Sequence, residues 1–203
     1  MARWKLTIEY DGRPFNGWQS QKDKSGIQDY VCKAIKDFSK EDVKIFTAGR
    51  TDSGVHARGQ VSHIDLERET NANEMREALN SHLKPHPIAV IDVLEVSNNF
   101  HARFSAIKRH YKYGIINRRA PLTFDKGKYW RVGRKLEIDP MISASKYLIG
   151  HHDFTTFRSS HCQSKSPSKT IDEIIIEQFN DIISIRISAK SFLHNQVRSI
   201  VGS

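Results

Sequence analysis

Only two cysteines, Cys32 and Cys162, occur in 203 residues. That is too few for a disulfide framework, and the compartment expected is a reducing cytoplasm. No apolar stretch approaches the roughly 20 residues that cross a bilayer. Met1 leads straight into an alternating segment rather than an apolar leader, so no membrane role is expected. Acidic side chains are also in deficit, with 23 Asp and Glu against 32 Lys and Arg, a net charge of +9. A polyanionic partner suits that excess, because basic groups on phosphates release condensed counterions. Metal-ligand spacing is missing too. His151, His152, His161 and Cys162 form adjacent pairs without the paired spacing of zinc sites, and no metal is expected.

What is present is concentrated first in Gly49-Arg50-Thr51-Asp52-Ser53-Gly54-Val55-His56-Ala57. A strand-like run, Val43 to Thr47, precedes it, and Val61 to Leu66 opens another. Asp52 therefore belongs to a tight strand-to-strand connection, in which Gly49 and Gly54 permit sharp turning and close approach to a ligand. The residues alone fit either an Asx-turn or a catalytic carboxylate carried on a rigid sheet.

The chain is long enough for one large domain or two small ones. Trp4, Leu6, Ile8 and Tyr10 alternate with polar residues at strand period. Ser25 and Gln28 have capping-box spacing before a helix with Ile27, Val31, Ala34, Ile35 and Phe38 on one face. Strands near 43–48 and 60–67 follow. Asn71 and Glu74 then cap a helix bearing Met75, Ala78, Leu79 and His82 or Leu83, before a strand from Ile88 to Val96. The order β-α-β-β-α-β is ferredoxin-like. The second half restarts it: a strand over Ile107 to Ile116, then a helix begun at Asp139-Pro140 and stopped at Gly150. Strands over Ile171 to Phe179 and Ile182 to Ala189 follow, with a helix from near Ser191. A full repeat needs one more strand beyond Ser203. Residues 117–135 and 151–169 are long basic or polar connections of the kind that carry function.

The nonapeptide resembles the signature of tRNA pseudouridine synthases of the TruA type. Five further blocks extend the resemblance: Glu9-Tyr10-Asp11-Gly12 with Phe15, Gly17, Trp18 and Gln19; residues 100–106; Arg109-His110-Tyr111-Lys112-Tyr113; residues 152–158; and residues 192–202. It implies an α+β fold of two ferredoxin-like halves, 1–105 and 106–203, joined into a mixed, mainly antiparallel sheet with a central cleft. It also implies a homodimer acting on tRNA. The implied reaction isomerises uridine at positions 38, 39 and 40 of the anticodon stem-loop: the N1–C1′ bond breaks and C5 takes its place. No electron or group is imported, so no cofactor is expected.

By the same resemblance Asp52 is the catalytic carboxylate, acting either as nucleophile or as base. Arg198 pairs with Asp52, on a helix whose apolar face is Phe192, Leu193, Val197, Ile200 and Val201. Gln196 stands where the family usually has Met. Tyr111 stacks on the target base, while Tyr113 belongs to the core. Arg50 assists base flipping, and Asn98, Asn99, Phe100, His101 and Ala102 match a segment associated with it. Arg109 and the loop His161, Cys162, Gln163, Ser164 and Lys165 complete the expected RNA contacts. Arg103, Lys108, Lys112, Arg118, Arg119, Lys126, Lys128, Arg131, Arg134 and Lys135 form a basic tract beside them. The rival reading is a non-catalytic tRNA-binding protein inactivated by a missing C-terminal segment.

Overall fold

A computed structural model describes residues 1–160, 162 and 164–203. These divide into two units, Met1–Ala106 and Ile107–Ser203. The class is α+β, with one antiparallel sheet and one mixed sheet.

The first unit runs β1 (Ala2–Tyr10), α1 (Ile27–Ser39), β2 (Phe46–Thr47), β3 (Ala57–Leu66), α2 (Ala72–Leu83) and β4 (Ile88–Val96). The sheet order is β2-β3-β1-β4, every neighbour antiparallel. Trp4, Leu6, Ile8 and Tyr10 are all buried, as their alternation requires. They share a core with Ile27, Val31, Ile35 and Phe38 of α1 and with Met75, Leu79 and Leu83 of α2. Each such large apolar side chain contributes about 1.5–3 kcal/mol by leaving water. Leu83 rather than His82 completes the inner face of α2, and Asn71 caps it by accepting from the Glu74 amide at 3.0 Å.

Two local expectations shift. The cap of α1 lies one residue later than Ser25 and Gln28 suggest: the Asp29 carboxylate accepts the Gly26 amide at 3.2 Å, and Ser25 is held by Asp23 at 2.7 Å. The strand expected over 43–48 pairs only at Phe46 and Thr47, opposite His63 and Ser62. Ile45 is buried in the core without joining the ladder.

The second unit contains β5 (Arg109–Asn117), β6 (Trp130–Val132), α3 (Ile138–Lys146), β7 (Gly150–Asp153), β8 (Ser168–Phe179), β9 (Ile182–Ala189) and α4 (Gln196–Gly202). A short 3-10 turn, Thr155–Phe157, follows β7. The sheet order is β6-β5-β9-β8-β7, with β5 and β6 parallel and the other neighbours antiparallel. Ile115, Ile183, Ile185 and Ile187 form its core with Phe154, Ile171 and Leu193. The long connections thus hold β6 and β7, whose three and four residues are too few to show a period. Helix α3 starts at Ile138 and ends at Lys146, short of Gly150, which opens β7 at φ +102°. Helix α4 starts at Gln196, not near Ser191. Asn195 takes left-handed φ (64°), and the Gln196 side chain accepts the Leu193 amide at 2.8 Å. Phe192 and Leu193 therefore pack from the loop before the helix, while Val197, Ile200 and Val201 pack from it.

Candidate active site

The Asp52 loop is built as a clamped turn. The Val55 amide closes on the Asp52 carbonyl at 3.1 Å. Gly54 takes φ +76° at the third position of that turn, where L side chains are strained. Gly49 does not take positive φ; its carbonyl instead receives Thr47 Oγ1 at 3.2 Å and the Gln60 side-chain amide. Asp52 is half-buried and Arg50 exposed, two residues apart on the same loop.

Residues 10–19 embrace the turn from one side. The Trp18 amide donates to Thr51 O at 3.0 Å, and Gly54 N–H reaches Phe15 O at 3.4 Å. Tyr10 and Thr51 share a hydroxyl hydrogen bond of 2.9 Å. Gly12 abuts the Val55 backbone so closely that a Cβ there would lie 2.1 Å from Val55 O. Asp11 stands 3.1 Å from His56 Nδ1. Hydrogen bonding to Arg13 is the chief cause that holds the Asp11 carboxyl down at about 2. Phe15 and Trp18 sink into the core and anchor the whole arm. Sequence reading met this arm only as part of a resemblance. Its mechanical role, and that of His56, come from contacts across about forty residues.

The 98–102 segment is anchored elsewhere on the same sheet. Arg3 forks onto Asp65 at 2.7 and 2.8 Å and donates to the Asn98 and Phe100 carbonyls at 2.6 and 2.8 Å. The buried Ala102 amide donates to His63 Nδ1 at 3.1 Å. His101 packs its ring on Phe104 and His63, and Phe46 stacks on His63. Burial, then Arg3 and His101, lower the His63 pKa, so its neutral form accepts the Ala102 amide. Asn98 and Asn99 are exposed. Arg3 is opposite Asp65 and Tyr10 opposite Ala57, so the carbonyls of Asn98 and Phe100 are held at the end of β1 away from the Asp52 turn, and the Ala102–His63 bond lies further along the sheet. Arg50 and Asp52 stand on one loop, and His101 packs edge-on to Phe46 of β2, the strand that leads into that loop.

In the second unit Tyr111 sits on β5 opposite Ile187, half-buried, with its ring edge-on to Phe192 at 5.1 Å. Tyr113 packs against the core. Arg109 donates to the Lys190 carbonyl. Arg198 is exposed on α4.

The loop around Cys162 is internally braced. Arg158 donates to the Cys162 and Ser164 carbonyls, both at 2.9 Å, and the His194 amide reaches Cys162 Sγ at 3.4 Å. Burial pushes the Cys162 thiol up, but the His194 and Ser164 amides and Arg158 outweigh it and leave the pKa below its ordinary value. Lys169 donates to Ser164 and to the Ser166 and Ser168 carbonyls, whereas Lys165 is exposed. His161 and Gln163 lie outside the described residues.

The basic tract divides in the same way. Arg118 is engaged by Asp181 at 3.0 Å, Arg131 by the Arg119 carbonyl at 2.6 Å and Lys135 by Glu137 at 3.3 Å. Lys112, Lys128 and Arg134 are exposed. Among the described residues no group of three His, Cys, Asp or Glu side chains is placed to hold a metal, and no helix is long and apolar enough to cross a membrane.

The family profile of tRNA pseudouridine synthases matches residues 6–105 and 144–203. The chain is 54% identical over all 203 residues to tRNA pseudouridine synthase A of Parvibaculum lavamentivorans (strain DS-1), covering 82% of that protein. It is 51% identical to the protein of the same name from Maricaulis maris (strain MCS10), again covering 82% of it. It is 52% identical to that of Bradyrhizobium diazoefficiens, covering 83%. The chain belongs to the tRNA pseudouridine synthase family, isomerases that make pseudouridine.

Proposed function

We propose that this member of the tRNA pseudouridine synthase family converts uridine to pseudouridine at positions 38, 39 and 40 of the tRNA anticodon stem-loop, with Asp52 as its catalytic carboxylate. The observation that carries the reading is the clamped turn: a half-buried carboxylate on a loop fixed by main-chain bonds to Phe15 and Trp18. Rigid placement of a reacting group is worth orders of magnitude in rate.

The reaction is an isomerisation. The N1–C1′ bond breaks, the uracil turns, C5 bonds to C1′, and the C5 proton leaves while N1 gains one. Asp52 acts at the sugar, either on C1′ or on a ribose proton, and Arg198 keeps it ionised. Tyr111 stacks on the base, with base–aromatic stacking worth about 1–3 kcal/mol, and its phenol serves the C5 proton. Arg50 fills the space left by the extruded uridine, which itself costs a few kcal/mol to flip.

Asn98, Asn99, Phe100, His101 and Ala102 form the segment that assists base flipping, held in place by the bond from the Ala102 amide to His63. Arg109, Lys165 and the exposed lysines and arginines take phosphates. The protein works in the cytoplasm as a homodimer, which size measurement in solution checks.

Incubation with unmodified tRNA followed by mapping of pseudouridine tests the assignment. Modified uridines are expected at 38–40, and none elsewhere. Asp52→Asn is expected to abolish turnover while leaving tRNA affinity nearly intact, because it keeps the loop's shape. Substantial turnover by the purified variant removes Asp52 from the mechanism.

A further inference from the structure

His56 and Asp11 lie 45 residues apart in sequence and meet at the edge of the Asp52 turn. His56 follows Val55, whose amide closes that turn, and Asp11 precedes Gly12, whose backbone is pressed against Val55. His56 Nδ1 is 3.1 Å from Asp11 Oδ1 and 3.3 Å from the Gly12 amide nitrogen. One ring nitrogen cannot donate to a carboxylate and accept from an amide at once. The carboxylate contact is the shorter and is charge-assisted, which selects the form carrying hydrogen on Nδ1. Asp11 is itself fixed, since its two oxygens accept Arg13 Nε at 2.9 and 3.0 Å and the Arg13 amide at 3.0 Å.

We propose that His56 and Asp11 are a positioning pair for the catalytic turn, with the His56 Nδ1–H donating to the Asp11 carboxylate and so fixing the end of the turn opposite the Trp18–Thr51 clamp. Resting on the assignment of Asp52, the pair acts on the turn through the backbone of Val55. Without it the turn keeps the Trp18–Thr51 bond and the longer Gly54–Phe15 contact but loses its hold beside Val55, and the Asp52 carboxylate samples positions away from C1′. The chemical step slows while tRNA affinity, carried by the basic groups, is kept.

The test compares His56→Ala, His56→Asn, His56→Gln and Asp52→Asn in single-turnover pseudouridine formation, with tRNA affinity and thermal melting measured alongside. His56→Ala is expected to lower the rate constant about 10- to 100-fold, the scale set by a misplacement near 1 Å, with affinity unchanged. An asparagine places its amide nitrogen where Nδ1 was and is expected to restore most of the rate. A glutamine places its amide at the Nε2 position and is expected not to. Three results overturn the pair: an unimpaired His56→Ala; equal rescue by Asn and Gln; or an Asn variant that melts like the parent yet reacts as slowly as the Ala variant. Turnover by Asp52→Asn overturns the assignment of Asp52 instead, and an inert Asp52→Asn beside a fully active His56→Ala overturns the pair alone.

Discussion

Adding one methyl at Gly12 is expected to cripple the enzyme without changing any of the proposed catalytic side chains. A Cβ there lies 2.1 Å from Val55 O, 2.5 Å from its carbonyl carbon and 2.9 Å from its nitrogen. Carbon contacts settle near 3.5–4.0 Å, so the two backbones must part by about 1 Å. Every obstructing atom is main chain, and no rotamer change relieves the clash. The displaced segment is the one whose Val55 amide closes the turn on Asp52. Overpacking of this kind costs about 1–3 kcal/mol of stability, and a shift near 1 Å costs about 100-fold in rate.

Two other glycines calibrate the result. Gly54→Ala meets no atom within 4 Å but must hold φ +76°, a strain of about 1–2 kcal/mol without displacing a neighbour. Gly59→Ala meets only Thr7 Cγ2 at 3.7 Å and is expected to behave as the parent. Single-turnover rates with thermal melts should therefore rank Gly12→Ala slowest, Gly54→Ala intermediate and Gly59→Ala unchanged. A Gly12→Ala protein that reacts and melts like Gly59→Ala refutes the view that this backbone contact places the carboxylate.

Three other outcomes are expected. Tyr111→Phe should keep tRNA affinity and lose any phenolic proton transfer, whereas Tyr111→Ala should lose both stacking and rate; unchanged kinetics in both would make Tyr111 a core residue. Affinity for tRNA should fall steeply with salt, and Lys128→Ala or Arg134→Ala should each flatten the log–log slope by nearly one. Arg118→Ala, already committed to Asp181, should change it less, and equal slopes across all three would contradict that division. The folded-state pKa of Asp11, about 2, lies below its ordinary 3.8, so its stabilisation is present above pH 4 and lost as pH falls towards 2. Asp11→Asn should remove that acid-dependent loss, by no more than about 1 kcal/mol because the pair is open to solvent. Identical acid melts for parent and variant would deny the shift.

Much of the secondary structure is legible in the chain itself, because its causes are local. Alternation places β1, a run of β-branched residues between turns places β4, and Asn71 with Glu74 starts α2. The order of elements in the first unit leads to its antiparallel sheet, β2-β3-β1-β4. Where the sequence misled, a specific pairing or side-chain bond outbid the propensity signal. Val43 to Ile45 looks like strand, yet only Phe46 and Thr47 find partners on β3. An apolar run suggests a helix from Ser191, yet the Gln196 side chain takes the Leu193 amide and starts α4 at its own position. The short β6 and β7 exist only because β5 and β8 supply ladders for them. The candidate site divides in the same way. Asp52, Tyr111 and Arg198 stand in motifs recognisable by identity and spacing. The arm that clamps Asp52, the Arg13–Asp11–His56 chain and the Arg3 anchor of residues 98–100 join positions about forty to almost a hundred apart. Propensity and periodicity report on neighbours within a few residues, and these joins depend on which loops the assembled sheet brings together, so they became visible only in the folded molecule.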